Sequence, residues 1–374
     1  MLETLLDPNN SIFWILIIII IVGAIAIISR PFSTYIKFVY PNAKFETIGN
    51  IYIKEKELNR IIDNNSLNDF KETLNNSKDY NITGENINEI QSSLDKNFFE
   101  AINMMKKDSS KKMEKFFDSY IEKFDLYLLK NAIKNKVDGK EIDEKILDRT
   151  ILPSTKTLIL KIKNSDKNDL IGILKTNGFN TEILSLFSEN KIDYIKLDTY
   201  FDKYIFEKIR NIKVPYKCDK AKNLFLNYSV DLRNIKNALR AKQLGYDSES
   251  IKKLFIGEGQ EIAKWKLKEI SESDSVPHII SSLEGTSYYN SLKNVIEDYN
   301  KEKSVQVFEN ALDCHFLKIV KNISLQNYST IGPTIRFIVS KEFEINNLKI
   351  VTKGIGEGLT IDFIKSLLVK EAIA

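Results

Sequence analysis

The residue types that usually carry chemistry are few here. The 374-residue chain has two cysteines, Cys218 and Cys314, and two histidines, His278 and His315. None stands at the spacing of a zinc site. Cys314 and His315 are adjacent, but consecutive helical residues point about 100° apart, so they share no ligand. Both cysteines read as structural, reduced thiols. The stretch KGIGEGLT, Lys353 to Thr360, offers three glycines. A phosphate-cradling loop needs a preceding strand and either G-x-x-x-x-G-K-[ST] or G-x-G-x-x-G, and neither is present. A helix C-terminus followed by a loop is expected there. H-E-x-x-H and G-x-S-x-G are also missing from the sequence. The expectation is a chain with no catalytic residue, no metal and no cofactor.

The charged residues carry a different signal, because they recur. VDLRNIKNALRAKQLG (Val230 to Gly245) matches FDLYLLKNAIKNKVDG (Phe124 to Gly139) at Asp, Leu, Lys, Asn, Ala and Lys. A second signature, L-D-x-x-F, occurs as LDKNF (Leu94 to Phe98), LDTYF (Leu197 to Phe201) and LDCHF (Leu312 to Phe316). From its Asp to the acid of the first signature is 30, 33 and 31 residues, the third acid being Glu344 of EINNLKIVTKG. Upstream of each pair stands a Leu followed by Ser or Thr and an aromatic: LNNSKDY at Leu74, LKTNGF at Leu174, LEGTSYY at Leu283. The copies lie 103 and 115 residues apart, too far for a solenoid repeat and far enough for a small helical domain each.

Two sets of repeated charges follow. Asp125, Asp231 and Glu344 are either N-caps or interior partners of a basic residue, and the sequence leaves both open. Lys134, Arg240 and Lys353 keep a basic group at one place in all copies, whereas Lys242 recurs as Lys136 but becomes Ile355. The face of Arg233, Asn237 and Arg240 is either solvated or a contact surface.

The elements that must position these residues are helices. Leu232, Ile235 and Leu239 form an apolar stripe at i, i+3 and i+7, as do Leu126, Leu129 and Ile133, and less well Ile345, Leu348 and Thr352. Helical spacing without strand-like alternation, with only 14 Gly and 7 Pro, predicts an all-α chain. Pro153, Pro215, Pro277 and Pro333 fall between helical segments. A net charge of +4, mixed in sign, does not point to nucleic acid.

One segment is of another kind. SIFWILIIIIIVGAIAIISRPF has an unbroken apolar run from Ile12 to Ile28 and no charge between Asp7 and Arg30. About 20 such residues cross a bilayer, with Leu5, Leu6 and Phe32 extending the ends and Trp14 at an interface. A transmembrane helix over about 11–29, within an N-terminal segment 1–38, is expected. A cleaved signal would want a basic start instead of Glu3 and Asp7. Arg30, Lys37 and Lys44 follow the span, which predicts an N-terminus outside and a cytoplasmic body.

Taken in order, these residues resemble a known family. YPNAK (Tyr40 to Lys44) is similar to its opening segment. Asp231, Asn234, Ile235, Lys236, Leu239, Arg240 and Lys242 match its D-x-x-NIK-x-x-LR-x-K, followed by Leu244 and Gly245. Gly332-Pro333, Lys341-Glu342, Glu344-Ile345, Asn347-Leu348, Ile350, Gly354 and Gly358-Leu359 match its C-terminal pattern. The family is the C subunit of archaeal A-type and bacterial V/A-type ATP synthases, akin to the d subunit of V-ATPases. The N-terminal span departs from its usual soluble pattern, although some archaeal members carry a hydrophobic extension.

The resemblance implies three helical repeat domains (39–150, 151–265 and 266–374) in a pseudo-threefold funnel. It implies a non-catalytic rotor component of the central stalk, a socket between the axle of the D and F subunits and the membrane proteolipid ring. Such a socket transmits torque for proton- or sodium-driven ATP synthesis. Lys134, Arg240 and Lys353 would then face an acidic axle tip. The alternative class is a membrane-anchored all-helical scaffold that tethers other proteins; an enzyme with an unrecognised site is a third.

Overall fold

Seven helices of 18 residues or more carry the architecture seen in the computed structural model, which describes residues 8–64, 66–77, 79–187 and 192–371. Glu3, Leu5, Leu6 and Asp7, and the outer ends of the expected segment 1–38 and of the expected domain 266–374, lie outside these residues. The seven are α1 (Ser11–Ile48), α2 (Ile87–Asp108), α3 (Glu114–Val137), α4 (Tyr194–Asn211), α5 (Asp219–Gln243), α6 (Gln306–Gln326) and α7 (Gly332–Gly356). Shorter helices fill the intervals, and no strand occurs among the described residues, so the fold is all-α.

Local chemistry explains several starts and stops. Asn10, Asn86 and Asp193 accept backbone N–H bonds as N-caps of α1, α2 and α4. Pro153, Pro277 and Pro333 sit in first turns, where a missing N–H costs nothing. Gly139, Gly245 and Gly358 end α3, α5 and α7 with φ of 70°, 78° and 68°. After each, one further N–H returns to the helix, from Lys140 to Asn135, Tyr246 to Ala241 and Leu359 to Gly354. This is one glycine C-cap made three times. KGIGEGLT is thus the end of α7 and its cap, as expected.

α1 differs from expectation in its extent. It is a single helix of 38 residues that carries Pro31 and Pro41 in its interior, so the apolar run and YPNAK are continuous. Ile12 to Ile28 lies along a helix long and apolar enough to cross a membrane, with none of its apolar window buried. Thr34, Phe38, Pro41, Asn42 and Phe45 are buried, against α7 and α2. Phe45 stacks on Phe337 at 5.3 Å, and the Asn42 amide donates to the carbonyls of Tyr328 and Thr330. That docking offsets the backbone bonds the prolines remove.

The other six helices pack in a closed circuit: α2 on α3, α3 on α4, α4 on α5, α5 on α6, α6 on α7, and α7 back on α2. L-D-x-x-F lies in α2, α4 and α6, and the other signature in α3, α5 and α7. The apolar stripes are core: Leu126, Leu129, Ile133, Ile235, Leu239, Ile345, Leu348 and Thr352 are buried. So are Leu74, Leu174 and Leu283 of the upstream signature.

Candidate functional site

The repeated charges find one another. Asp198 of α4 pairs with Lys130 of α3 at 3.4 Å, Asp313 of α6 with Lys236 of α5 at 2.6 Å, and Asp95 of α2 with Lys349 of α7. The Asp of one signature therefore meets the lysine five residues beyond the acid of the other. The partner always belongs to the neighbouring copy, and the third copy is completed by the first. Both motifs were visible in the sequence; their opposite signs and equal number were the signal that they pair.

These contacts also fix direction. Lys134, near the end of α3, reaches Asp198 near the start of α4, while Lys208, near the end of α4, reaches Glu122 in the first half of α3. Lys236 and Arg240 of α5 meet Asp313 and then Glu309 of α6, again in opposite order. Lys349, late in α7, meets Asp95, early in α2. Neighbours run antiparallel, so the connectors 109–113, 212–218 and 327–331 share one end of the circuit. The capped ends of α3, α5 and α7 share the other.

Asp125, Asp231 and Glu344 are fully buried and lie well inside their helices, so the N-cap alternative is corrected: the helix of Glu344, α7, begins a dozen residues earlier. Helix burial leaves no room for the N-cap reading. Asp231 accepts the N–H groups of Gln260, Glu261 and Ile262 and the Tyr288 hydroxyl. Burial pushes its carboxyl up to about 6, against those hydrogen bonds, which lower it. Asp125 likewise holds Ile151 and Leu152. Glu344 instead takes the Tyr80 hydroxyl and, at 2.9 Å, the Lys341 ammonium. Tyr80 and Tyr288 belong to the same upstream signature; in the second copy that place is Phe179, which has no hydroxyl to give.

At the centre, a cavity of about 220 Å³ is lined from α3, α4, α5, α6 and α7. Lys123, Arg233, Lys236 and Arg240 face it with Asp313 and Glu342, among Tyr120, Phe316 and Phe343. Its charges are mostly matched: Lys123 bonds Glu342 at 2.9 Å, and Arg233 bonds Asp202 at 3.1 Å. Tyr120 also donates to Glu342, and burial raises its hydroxyl well above the ordinary value.

The three candidate contact residues all lie in last turns, at the end opposite the connectors. Their surroundings differ. Lys134 binds Asp198 at 3.0 Å, and Arg240 forks onto the buried Glu309. Lys353 is 60% exposed, with Glu357 at 3.9 Å its one acidic neighbour among the described residues. The face of Arg233, Asn237 and Arg240 is thus partly internal, with Asn237 buried on the Leu254 carbonyl. Glu309, Asp202 and Glu342 form no repeated pattern; Glu342 falls within the family's C-terminal pattern, and nothing in the sequence marks the other two.

Among the described residues, no group of three or more His, Cys, Asp or Glu could hold a metal ion. Cys218 and Cys314 are free thiols. The arrangement locks helices together and offers a charged, partly aromatic hollow.

Comparison with known proteins gives this geometry its relatives. The chain is 28% identical to the C subunit of the A-type ATP synthase of Methanosphaera stadtmanae, over 93% of this chain and 92% of the relative. It is 28% identical to that of Methanobrevibacter smithii, over 92% of each chain. To that of Methanocaldococcus jannaschii it is 29% identical, over 89% of this chain and 86% of the relative. The profile of the ATP synthase (C/AC39) subunit family matches residues 41–367, which is the whole helical circuit together with the last turns of α1. The chain belongs to the ATP synthase (C/AC39) subunit family.

Proposed function

We propose that this chain is the non-catalytic socket of the central stalk in an A-type synthase, coupling the D–F axle to the proteolipid ring and transmitting torque for ion-driven ATP synthesis. The observation that carries this reading is the closed antiparallel circuit, pinned at three joints by the same ion pair. A closed circuit resists twisting better than an open stack, because no helix has a free side along which to slide. It also has two unlike ends, which suits a part that joins two unlike neighbours.

In this reading the copies 39–150, 151–265 and 266–374 build a pseudo-threefold funnel in which each unit interlocks with the next. The connector end rests on the proteolipid ring, and the capped end receives the axle. α1 anchors the body through the 11–29 span with its N-terminus outside, leaving the body on the cytoplasmic face. The test is affinity purification of the full chain from mildly solubilised membranes. Catalytic ATPase subunits and proteolipid are expected to come with it in stoichiometric amounts; recovery without either sinks the reading.

Lys134, Arg240 and Lys353 are kept as the proposed axle contacts, with Lys353 the freest charge. Exposed pairs contribute about 0–1 kcal/mol each. Lys353→Ala alone is expected to change axle affinity less than threefold. Lys134→Ala combined with Lys353→Ala is expected to weaken it further and to flatten its salt dependence. An unchanged salt slope in the double variant returns these residues to internal pairing only.

A further inference from the structure

α1 touches two of the connectors and the end of the helix that leads into the other. Lys44 pairs at 2.7 Å with Asp108, the last residue of α2. The Asn42 amide bonds the Tyr328 and Thr330 carbonyls, and the Tyr328 hydroxyl donates to Glu46. The Arg30 guanidinium lies 5.2 Å from the centre of the Tyr216 ring, in the connector 212–218. Six helices at about 8–10 Å spacing close a circuit roughly 20 Å across. The stretch from Arg30 to Glu46 is about 24 Å long at 1.5 Å per residue. α1 therefore spans the connector end, and its apolar part leaves that end beside Tyr216.

Two further features define what surrounds the departing segment. Its side chains are exposed all round, including Ile15, Ile19, Ile21, Val22 and Ile25, so no seam is shaped for another helix. Pro31 follows Arg30 directly, and its missing N–H removes one backbone hydrogen bond from the turn where the span joins the docked half.

We infer that residues 11–29 stand inside the proteolipid ring, in the lipid that the ring encloses. This rests on the socket reading, in which the connector end sits on that ring. A body seated there has its apolar segment leaving from the face that meets the ring, beside Tyr216. Rotation gives an independent reason. The span is one helix with the rotor body, so outside the ring it would sweep through any stationary membrane component on every turn. Inside, it turns with the ring.

Electron imaging of the intact solubilised complex, wild type beside a variant lacking residues 12–28, tests this. The expected result is a rod of density within the ring of the wild type and its loss in the variant, with the body seated on the ring in both. A rod against the outer wall of the ring, or a ring interior unchanged by the deletion, overturns the inference while leaving the socket reading intact. A body seated away from the ring overturns the socket reading, and this inference with it.

Discussion

Asp231 shows how a single side chain organises a turn of backbone. Three consecutive N–H groups, Gln260 to Ile262, converge on its carboxylate, and Gly259 lies so close that a Cβ there would overlap the carboxylate oxygen. Gly259→Ala is expected to cost about 1–3 kcal/mol by forcing that loop outward, read as a lower thermal midpoint; an unchanged midpoint refutes the close approach. A pH dependence also follows. The folded pKa of Asp231, about 6, lies above its unfolded value, so the folded state holds the proton more tightly. Its contribution to stability is complete below about pH 4 and is lost as pH rises through 6. The midpoint of the wild type minus that of Asp231→Asn should therefore fall between pH 4 and 7; a rise would contradict the burial argument.

At the scale of helices, a buried joint and an exposed charge should differ in strength. Lys236 and Asp313 are 13% and 16% exposed, whereas Lys353 is 60% exposed. Burial already raises the Asp313 carboxyl, and the Lys236 charge opposes that shift. Lys236→Met removes the opposing charge and leaves a buried carboxylate, at a cost of about 3 kcal/mol. Lys353→Ala should stay within about 0.5 kcal/mol. Chemical denaturation of the two variants checks the order, and equal effects would mean that the joints do not bear on stability. The matching C-caps of α3, α5 and α7 explain why glycine stands at 139, 245 and 358: each requires a left-handed backbone, which other residues adopt only with strain.

The whole molecule depends on a seam between the two ends of the chain. Asp95 meets Lys349, Tyr80 meets Glu344, and Lys123 meets Glu342, all joining the first copy to the third. Loosening this seam should open the circuit as a unit. Tyr80→Phe combined with Lys349→Met is expected to raise amide exchange in α2 and α7 together, with α4 and α5 little changed. Exchange rising uniformly over all six helices would indicate one indivisible cooperative unit instead.

Much of this was legible in the sequence. Helical periodicity determined the all-α class, because each stripe needs only its own spacing to be recognised. The unbroken apolar run determined the exposed helix, and the repeated signatures marked the six helices that form the circuit. Tertiary structure alone decided who pairs with whom. The acids of α3, α5 and α7 could have been caps or interior partners, since a carboxylate suits either; only their burial a dozen residues inside a helix made them interior. Arg240 and Lys134 read as free contact charges because Glu309 and Asp198 lie 69 and 64 residues away. No local rule spans such distances. The interlocking of each copy with the next, and of the last with the first, is likewise a product of packing: a stripe records that a face must be buried, but not which neighbour buries it.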